Sequence, residues 1–434
     1  MAEPLIVPRS EHTLSRRDID PDALKVLYRL KQHRYVAYLV GGSVRDLLLG
    51  RHPKDYDVGT SAHPYEVKRL FRNCWIIGRR FRLAHVRFAP NKIIEVATFR
   101  RKAEAAEMPM PEATAQVSTE QRLLHRDNTF GTPEEDAFRR DFTINALFYD
   151  IDTFSIIDYV GGMEDLRSRV LRSIGDPNER FVEDPVRMLR AIVLAERLDV
   201  SIDPASLEAI ERHGAEITKA SPARMLEEYY KILRSGASER IFRRLARSGL
   251  LTHISPELVS PPDAVWRSLE ALDEYRTRFR AAPDTLTNPV LIGSLLVPLG
   301  MMARRSRRRS SEHADVDADE TPPAGGRPPK PPRLVLGMLP IARGDVEHLR
   351  HILTLQARLV DLPSSQRAQR SIMHRNTFAE AMTFMDIHGQ FPETLQQWRG
   401  LRTAAGDEIV PEERPRRRRR RRRRGRRPPP HAAP

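Results

Sequence analysis

The chain has 434 residues and carries 73 Lys and Arg against 58 Asp and Glu, a formal charge of +15. Residues 411–434 hold twelve Arg and two Glu, so the remaining residues 1–410 carry only +5, an ordinary globular balance. One cysteine, Cys74, excludes a disulfide framework and a Cys-rich zinc site and points to a reducing, cytoplasmic setting. The opening MAEPLIVPRSEH lacks the pattern of a secretory signal. The most apolar run, Pro289–Ala303, is fifteen residues long with two prolines and two glycines, too short for a bilayer.

In chain order, residues 1–20 are polar and read as a flexible arm. Asp20 is an N-cap with Pro21 at the first helical position, followed by the helical spacing of Ala23–Leu30. Tyr35–Val40 reads as a buried strand running into Gly41-Gly42, with a helix over Val44–Leu49. Tyr56–Val58 is strand-like, and a helix follows, capped by Ser61 or by His63-Pro64. Trp75–Ile77, Ala84–Phe88 and Ile93–Ala97 are further β-rich runs, whereas Glu104–Glu135 is polar and reads as a long loop. Strands and helices alternate to about Val160, which predicts an α/β head with a mixed sheet over 21–160.

After Gly161-Gly162 the β signals fade. Helical periodicity over Pro185–Arg197, Pro204–His213, Pro222–Leu233 and Glu239–Leu245 predicts an all-α neck (161–235) and body (236–303). Residues 304–333 join a basic block, an acidic block and a Pro/Gly run, the composition of a flexible insertion. Helical patterning resumes over 334–405, with Asp345 as N-cap. Residues 406–434, with nine consecutive arginines at Arg416–Arg424, read as a disordered tail. The fold class is therefore α+β: a mixed-sheet head, then an all-α neck and body.

The densest chemistry is Gly41-Gly42-Ser43-Val44-Arg45-Asp46 followed by Asp55-Tyr56-Asp57. A strand-to-helix turn through two glycines lets a ligand approach the backbone, and a helix start presents free N–H groups to an anion. Arg45 adds a forked donor for phosphate. Asp55 and Asp57, two apart on a strand, face one side and are natural ligands for Mg²⁺ beside substrate phosphates. Glu95 lies in an otherwise apolar strand, where a lone carboxylate is costly without a partner, and is a third metal-facing candidate. Asp184, Arg187 and Arg190 recur at a spacing of three, so they share a helix face. That face suits either a surface ion-pair ladder or recognition of a nucleobase edge. Cys74 reads as core, and the histidines show no ligand spacing for zinc.

Taken together, GGSVRDLLLGRHPKDYDVGTSAHP, EVATFR, RRDFTINALFYD and EDPVRMLRA resemble the class II nucleotidyltransferase superfamily, which contains bacterial poly(A) polymerases and tRNA CCA-adding enzymes. The match covers about residues 36–235. Ile76–Val86, with Asp127–Gly131 and Glu134–Asp136, resembles the polymerase branch. The resemblance implies transfer of AMP from ATP to RNA 3′ ends with pyrophosphate release, in support of RNA processing and decay. It also implies two Mg²⁺ ions (Mn²⁺ as substitute), with Asp55 and Asp57 as metal ligands, Asp141 as a further catalytic acid and Glu95 beside them. It places Gly41, Gly42, Ser43, Arg45, Arg140 and Asn145 at the nucleotide, and Asp184, Arg187 and Arg190 at its base. Arg416, Arg417, Arg418, Arg419 and Arg420 of the tail would bind RNA, and RNA-decay or RNA-chaperone proteins would be partners. CCA-adding enzymes often carry another Arg where this chain has Val193. A CCA-adding enzyme and a non-catalytic RNA-binding protein on the same fold are the alternatives.

Overall fold

The computed structural model describes residues 3–78, 82–90, 92–101, 129–302, 333–389 and 391–404. Its head is built on eight strands: β1 Leu5–Val7, β2 Ala37–Val40, β3 Asp57–Thr60, β4 Cys74–Ile77, β5 Leu83–Ala89, β6 Lys92–Thr98, β7 Leu147–Tyr149 and β8 Ile156–Asp158. Their spatial order is β1-β8-β7-β2-β3-β6-β5-β4. Every neighbouring pair is antiparallel except β3–β6. The head thus has the mixed sheet that the sequence predicts, with β1, β7 and β8 added to the five strands singled out there.

Period-two alternation divides the sheet into two faces. Leu39, Val58, Val96 and Ala84 stand in register across four strands and are fully buried. Helix Pro21–Gln32 covers β2 and β3 on that side, and helix Pro64–Leu70 covers β4, β5 and β6. The first helix begins where the Asp-Pro signal puts it: the Asp20 carboxylate accepts from the Asp22 N–H at 2.8 Å and the Ala23 N–H at 3.4 Å. On the opposite face, Val40, Phe99, Ala137, Ala146, Phe148 and Ile174 form a core over the β2–β7 end. The β4–β6 end of that face carries exposed side chains instead.

Several expectations need correction. Residues 1–20 are not a free arm: Leu5–Val7 pairs with Ile156–Asp158 at the sheet edge, and Val7 and Leu14 are buried. The partner lies some 150 positions away, so no local pattern announces the three-residue strand. The polar loop ends before Glu135, because Thr132 caps helix Pro133–Phe138 with Glu135 completing a reciprocal capping box. The neck is not wholly helical, because Val170–Leu171 pairs with Ser201–Ile202, and the stretch expected to be helical over 334–405 opens with a short pair, Val335–Leu336 with Leu339–Pro340. Helix Arg343–Val360 starts two residues before Asp345, so Asp345 is no cap. Its carboxylate accepts from the Tyr230 hydroxyl at 3.2 Å.

Helices Val186–Leu198, Pro204–His213, Pro222–Leu233 and Ser238–Arg247 form where the sequence predicts Pro185–Arg197, Pro204–His213, Pro222–Leu233 and Glu239–Leu245. A separate C-terminal unit from His351 contains helices Gln366–Met373, Phe378–His388 and Pro392–Ala404. Within it Trp398 is fully buried and donates to the Leu359 carbonyl at 2.9 Å. The insertion expected over 304–333, apart from Arg333, and the Arg tail over 406–434 lie outside the described residues. No described helix is long and apolar enough to cross a membrane.

Candidate nucleotide and metal site

Asp57 opens β3 in parallel register with Glu95 on β6, so two carboxylates project from one face of adjacent strands. Burial, and next the Glu95 charge, push the Asp57 carboxyl up to about 6; Asp55 adds to the rise and Arg140 opposes it. His85 Nε2 lies 3.4 Å from Glu95 Oε1. Asp55 is exposed and lies before the strand rather than on it, so the shared strand face expected for Asp55 and Asp57 is not formed. Its charge still reaches Asp57. Among the described residues no three carboxylate, imidazole or thiol groups form a ready cage. The residues nevertheless fit a hard divalent cation: the donors are all carboxylate oxygens, and their mutual repulsion is what a cation would relieve.

Asp141 lines the same cavity as Asp57 and has partners of its own. It is buried, and burial alone would raise its pKa. Arg190, the Asn145 amide and the Phe142 N–H outweigh burial and hold it below the usual carboxylate range. Phe142 N–H and Asn145 Nδ2 donate to Oδ1 at 2.9 and 3.2 Å, and Arg190 lies 2.7 Å from Oδ2. Asp141 thus fastens the neck arginine Arg190 to the head.

The Gly41-Gly42 turn has a specific local reason. Gly41 has φ +74°, and a Cβ there would come within 3.0 Å of Arg140 Nη1. The glycine therefore permits both the left-handed backbone and the approach of Arg140. Arg140 donates to Asp136 at 2.9 and 3.1 Å and to the Asn145 carbonyl at 3.0 Å, which fixes its guanidinium beside the turn. Arg45 is buried in helix Gly42–Leu48; it bonds Asp46 at 2.6 and 2.8 Å and reaches the Asn145 side-chain oxygen. The Ser43 hydroxyl is used internally, donating to the Val40 carbonyl at 2.9 Å.

The neck supplies the other wall. Asp184 follows helix Pro177–Glu183, and Arg187 and Arg190 lie on helix Val186–Leu198. Asp184 precedes that helix, so the three do not share one helix face, yet all three line the same space. Burial lowers the Arg187 pKa, with Asp184 and Asp141 opposing. Arg224, which no spacing in the sequence singles out, closes a fork on Asp184 at 3.1 and 2.9 Å from helix Pro222–Leu233. Arg180, equally unforeseen, donates to the carbonyls of Arg139 and Arg140 at 2.9 and 2.5 Å and sets the loop that carries Asp141. One cavity of about 560 Å³ is lined by Gly41, Gly42 and Asp57 from the head and by Asp184, Arg187 and Arg224 from the neck. Arg45, Arg140, Asp141, Asn145 and Arg190 also line it, whereas Asp55, Ser43 and Glu95 do not. Arg416–Arg420 lie outside the described residues.

A glycine turn and the Asp57 carboxylate of the sheet face a cationic helical wall across one cavity, an α/β head joined to a helical neck. Residues 37–172 match the family model described as the poly A polymerase head domain. Residues 199–260 match one described as the probable RNA and SrmB-binding site of polymerase A. The chain is 50% identical over 253 residues to a protein of Salmonella typhimurium called Poly(A) polymerase I, covering 58% of this chain and 54% of that one. It is 36% identical over 256 residues to a CCA-adding enzyme of Geobacillus sp., covering 57% and 59%. The crystal structure of the Bacillus stearothermophilus CCA-adding enzyme in complex with CTP matches with a TM-score of 0.57 at 27% identity, over 89% of this chain and 82% of that one. The chain spans about half the length of the curated relatives it matches. The matched stretches are thus similar to a poly A polymerase head domain followed by an RNA-binding region of polymerase A.

Proposed function

We propose that the chain is a template-independent polynucleotide adenylyltransferase, which moves AMP from ATP to the 3′-hydroxyl of RNA and releases pyrophosphate. The observation that carries this reading is the single cavity shared by Asp57 with the Gly41-Gly42 turn and by Asp184 with Arg187. The 50% identity over 253 residues to a protein called Poly(A) polymerase I supports it. Asp55 and Asp57 would hold divalent cation, Mg²⁺ or Mn²⁺, which when bound supplies Lewis-acid activation of the attacking hydroxyl and charge neutralisation at the triphosphate.

The remaining chemistry is positioning. Arg140, locked between Asp136 and the Asn145 carbonyl, offers a fixed donor to phosphate where Gly41 leaves room. Asp184, clamped by Arg224, can accept from a base amino group while Arg187 donates to the neighbouring ring nitrogen. Adenine and cytosine present that same amino-donor and ring-acceptor pair, whereas guanine and uracil present the reverse. Hydrogen bonding here therefore rejects G and U, and the size and shape of the cavity must separate A from C.

The second reading, a CCA-adding enzyme, is favoured by that shared pattern and by the likeness to a CTP-bound structure. Val193 in the cavity wall counts against it, because CCA-adding enzymes often place an Arg there. The reading is tested with Asp57→Ala: loss of nucleotide addition to an RNA oligonucleotide supports it, and addition at a near wild-type rate refutes it.

A further inference from the structure

The row of side chains that contains Asp57 continues past Glu95. Glu95 is in register with His85 on β5, and His85 with Trp75 on the edge strand β4. Directly paired residues of neighbouring strands project from the same face, so Asp57, Glu95, His85 and Trp75 form one line across the sheet. At about 4.8 Å per strand, Trp75 stands roughly 14 Å from Asp57. Trp75 is 49% exposed, and the same face adds Ile77 at 49% and Ile93 at 46%. The reverse face of these strands is closed, with Cys74, Ala84, Val86, Ile94 and Val96 buried. Arg87, two residues from His85 on the same face, is exposed and donates to the carbonyls of Ala89 and Pro90 at 3.1 Å each. Among the described residues it pairs with no carboxylate, so its charge is free to meet an anion.

We propose that this face seats the 3′ end of the RNA substrate. The Trp75 indole stacks on a base a few nucleotides upstream of the acceptor hydroxyl, and Arg87 meets the backbone phosphate there. The inference rests on the adenylyltransferase reading, which brings an RNA end to Asp57. RNA is favoured because the platform is continuous with the Asp57 carboxylate yet separate from the cavity residues assigned to ATP. It also pairs an aromatic face with an unneutralised arginine, the combination that single-stranded nucleic acid needs. Stacking accepts any base, which suits an enzyme that must rebind its own growing product.

The experiment compares wild type, Trp75→Ala, Trp75→Phe and Arg87→Ala by KM for an oligoadenylate primer, KM for ATP, and RNA-induced quenching of tryptophan emission without ATP. Trp75 is half exposed on an edge strand, so its replacement leaves the fold intact, as circular dichroism will register. Trp75→Ala should raise the primer KM about tenfold, equally at low and high salt, and leave the ATP KM unchanged. Trp75→Phe should restore most of the primer affinity while abolishing most of the quenching. Arg87→Ala should weaken primer binding mainly at low salt. An unchanged primer KM with undiminished quenching in the Trp75 variants would overturn the inference, assign the face to another partner such as a protein, and leave the enzyme reading standing. A wild-type chain that binds RNA with Trp75-dependent quenching but never extends it would instead refute the enzyme reading alone.

Discussion

Replacing Asp57 with Asn removes a charge that the fold holds at a cost. The Asp57 carboxyl stands at about 6, against an ordinary value of 3.8, through burial and the Glu95 charge. A rise of that size corresponds to about 3 kcal/mol, and partial exposure of the group reduces it to roughly 1–3 kcal/mol. The folded chain binds this proton more tightly than the unfolded chain does. The stabilising contribution is therefore complete below the unfolded value and lost as pH rises through about 6. Asn mimics the protonated form. Asp57→Asn should thus be more stable than wild type by roughly 1–3 kcal/mol at pH 7.5 in chelator, with the difference shrinking as pH falls and vanishing at about pH 3. Mg²⁺ or Mn²⁺ should raise the wild-type midpoint in urea in proportion to the logarithm of metal concentration, and should leave the variant unmoved. A variant no more stable than wild type at pH 7.5, or one that still gains stability from metal, would refute this account of the carboxylate pair.

Three further outcomes follow from the site and the tail. Arg224→Ala should free the Asp184 carboxylate and raise the ATP KM about 5- to 30-fold, or roughly 1–2 kcal/mol, with narrowed ATP-over-CTP preference in competition assays. Arg224→Lys should recover little, because Lys lacks the fork. Asp141→Asn should cost roughly 1–3 kcal/mol, less than a fully buried pair because Arg190 is half exposed. Asp141 sits below the ordinary carboxylate range, so its contribution is present above the unfolded value and lost as pH falls through the folded one. The variant should therefore show a shallower acid limb in denaturation. Deleting residues 411–434 should weaken RNA binding at low salt, with the loss shrinking as salt rises and nucleotide choice unaffected. A truncated chain with altered nucleotide choice would contradict that separation of roles.

The parts of the fold legible in the sequence are those whose signals are local. Asp20-Pro21, Pro204 and Pro222 mark helix starts, and the apolar, β-branched run Ile93–Ala97 marks a strand. The strand Leu5–Val7 was illegible because three residues carry no period and its partner follows 150 positions later. The Thr132–Glu135 box was legible in principle, being a local pattern, but it lies at the end of a polar stretch that reads as loop. For the site, residue types were visible and partnerships were not. Asp141 reads as one more acidic group beside Asp55 and Asp57, yet Arg190 and Asn145 claim it. Arg224 is forty residues from Asp184, so only tertiary structure reveals the fork. The exposed Trp75 gained meaning only from the sheet register that aligns it with Asp57.

The central claim is that this cavity adds adenylate, and adenylate alone, to RNA. The direct measurement incubates the purified full chain with Mg²⁺ and an RNA oligonucleotide of arbitrary 3′ sequence, with each nucleoside triphosphate supplied separately, and resolves the products by length. Long, heterogeneous products with ATP alone, and little or no extension with CTP, are predicted. No extension by ATP alone, or a short product completed only when CTP is also supplied, would contradict the account.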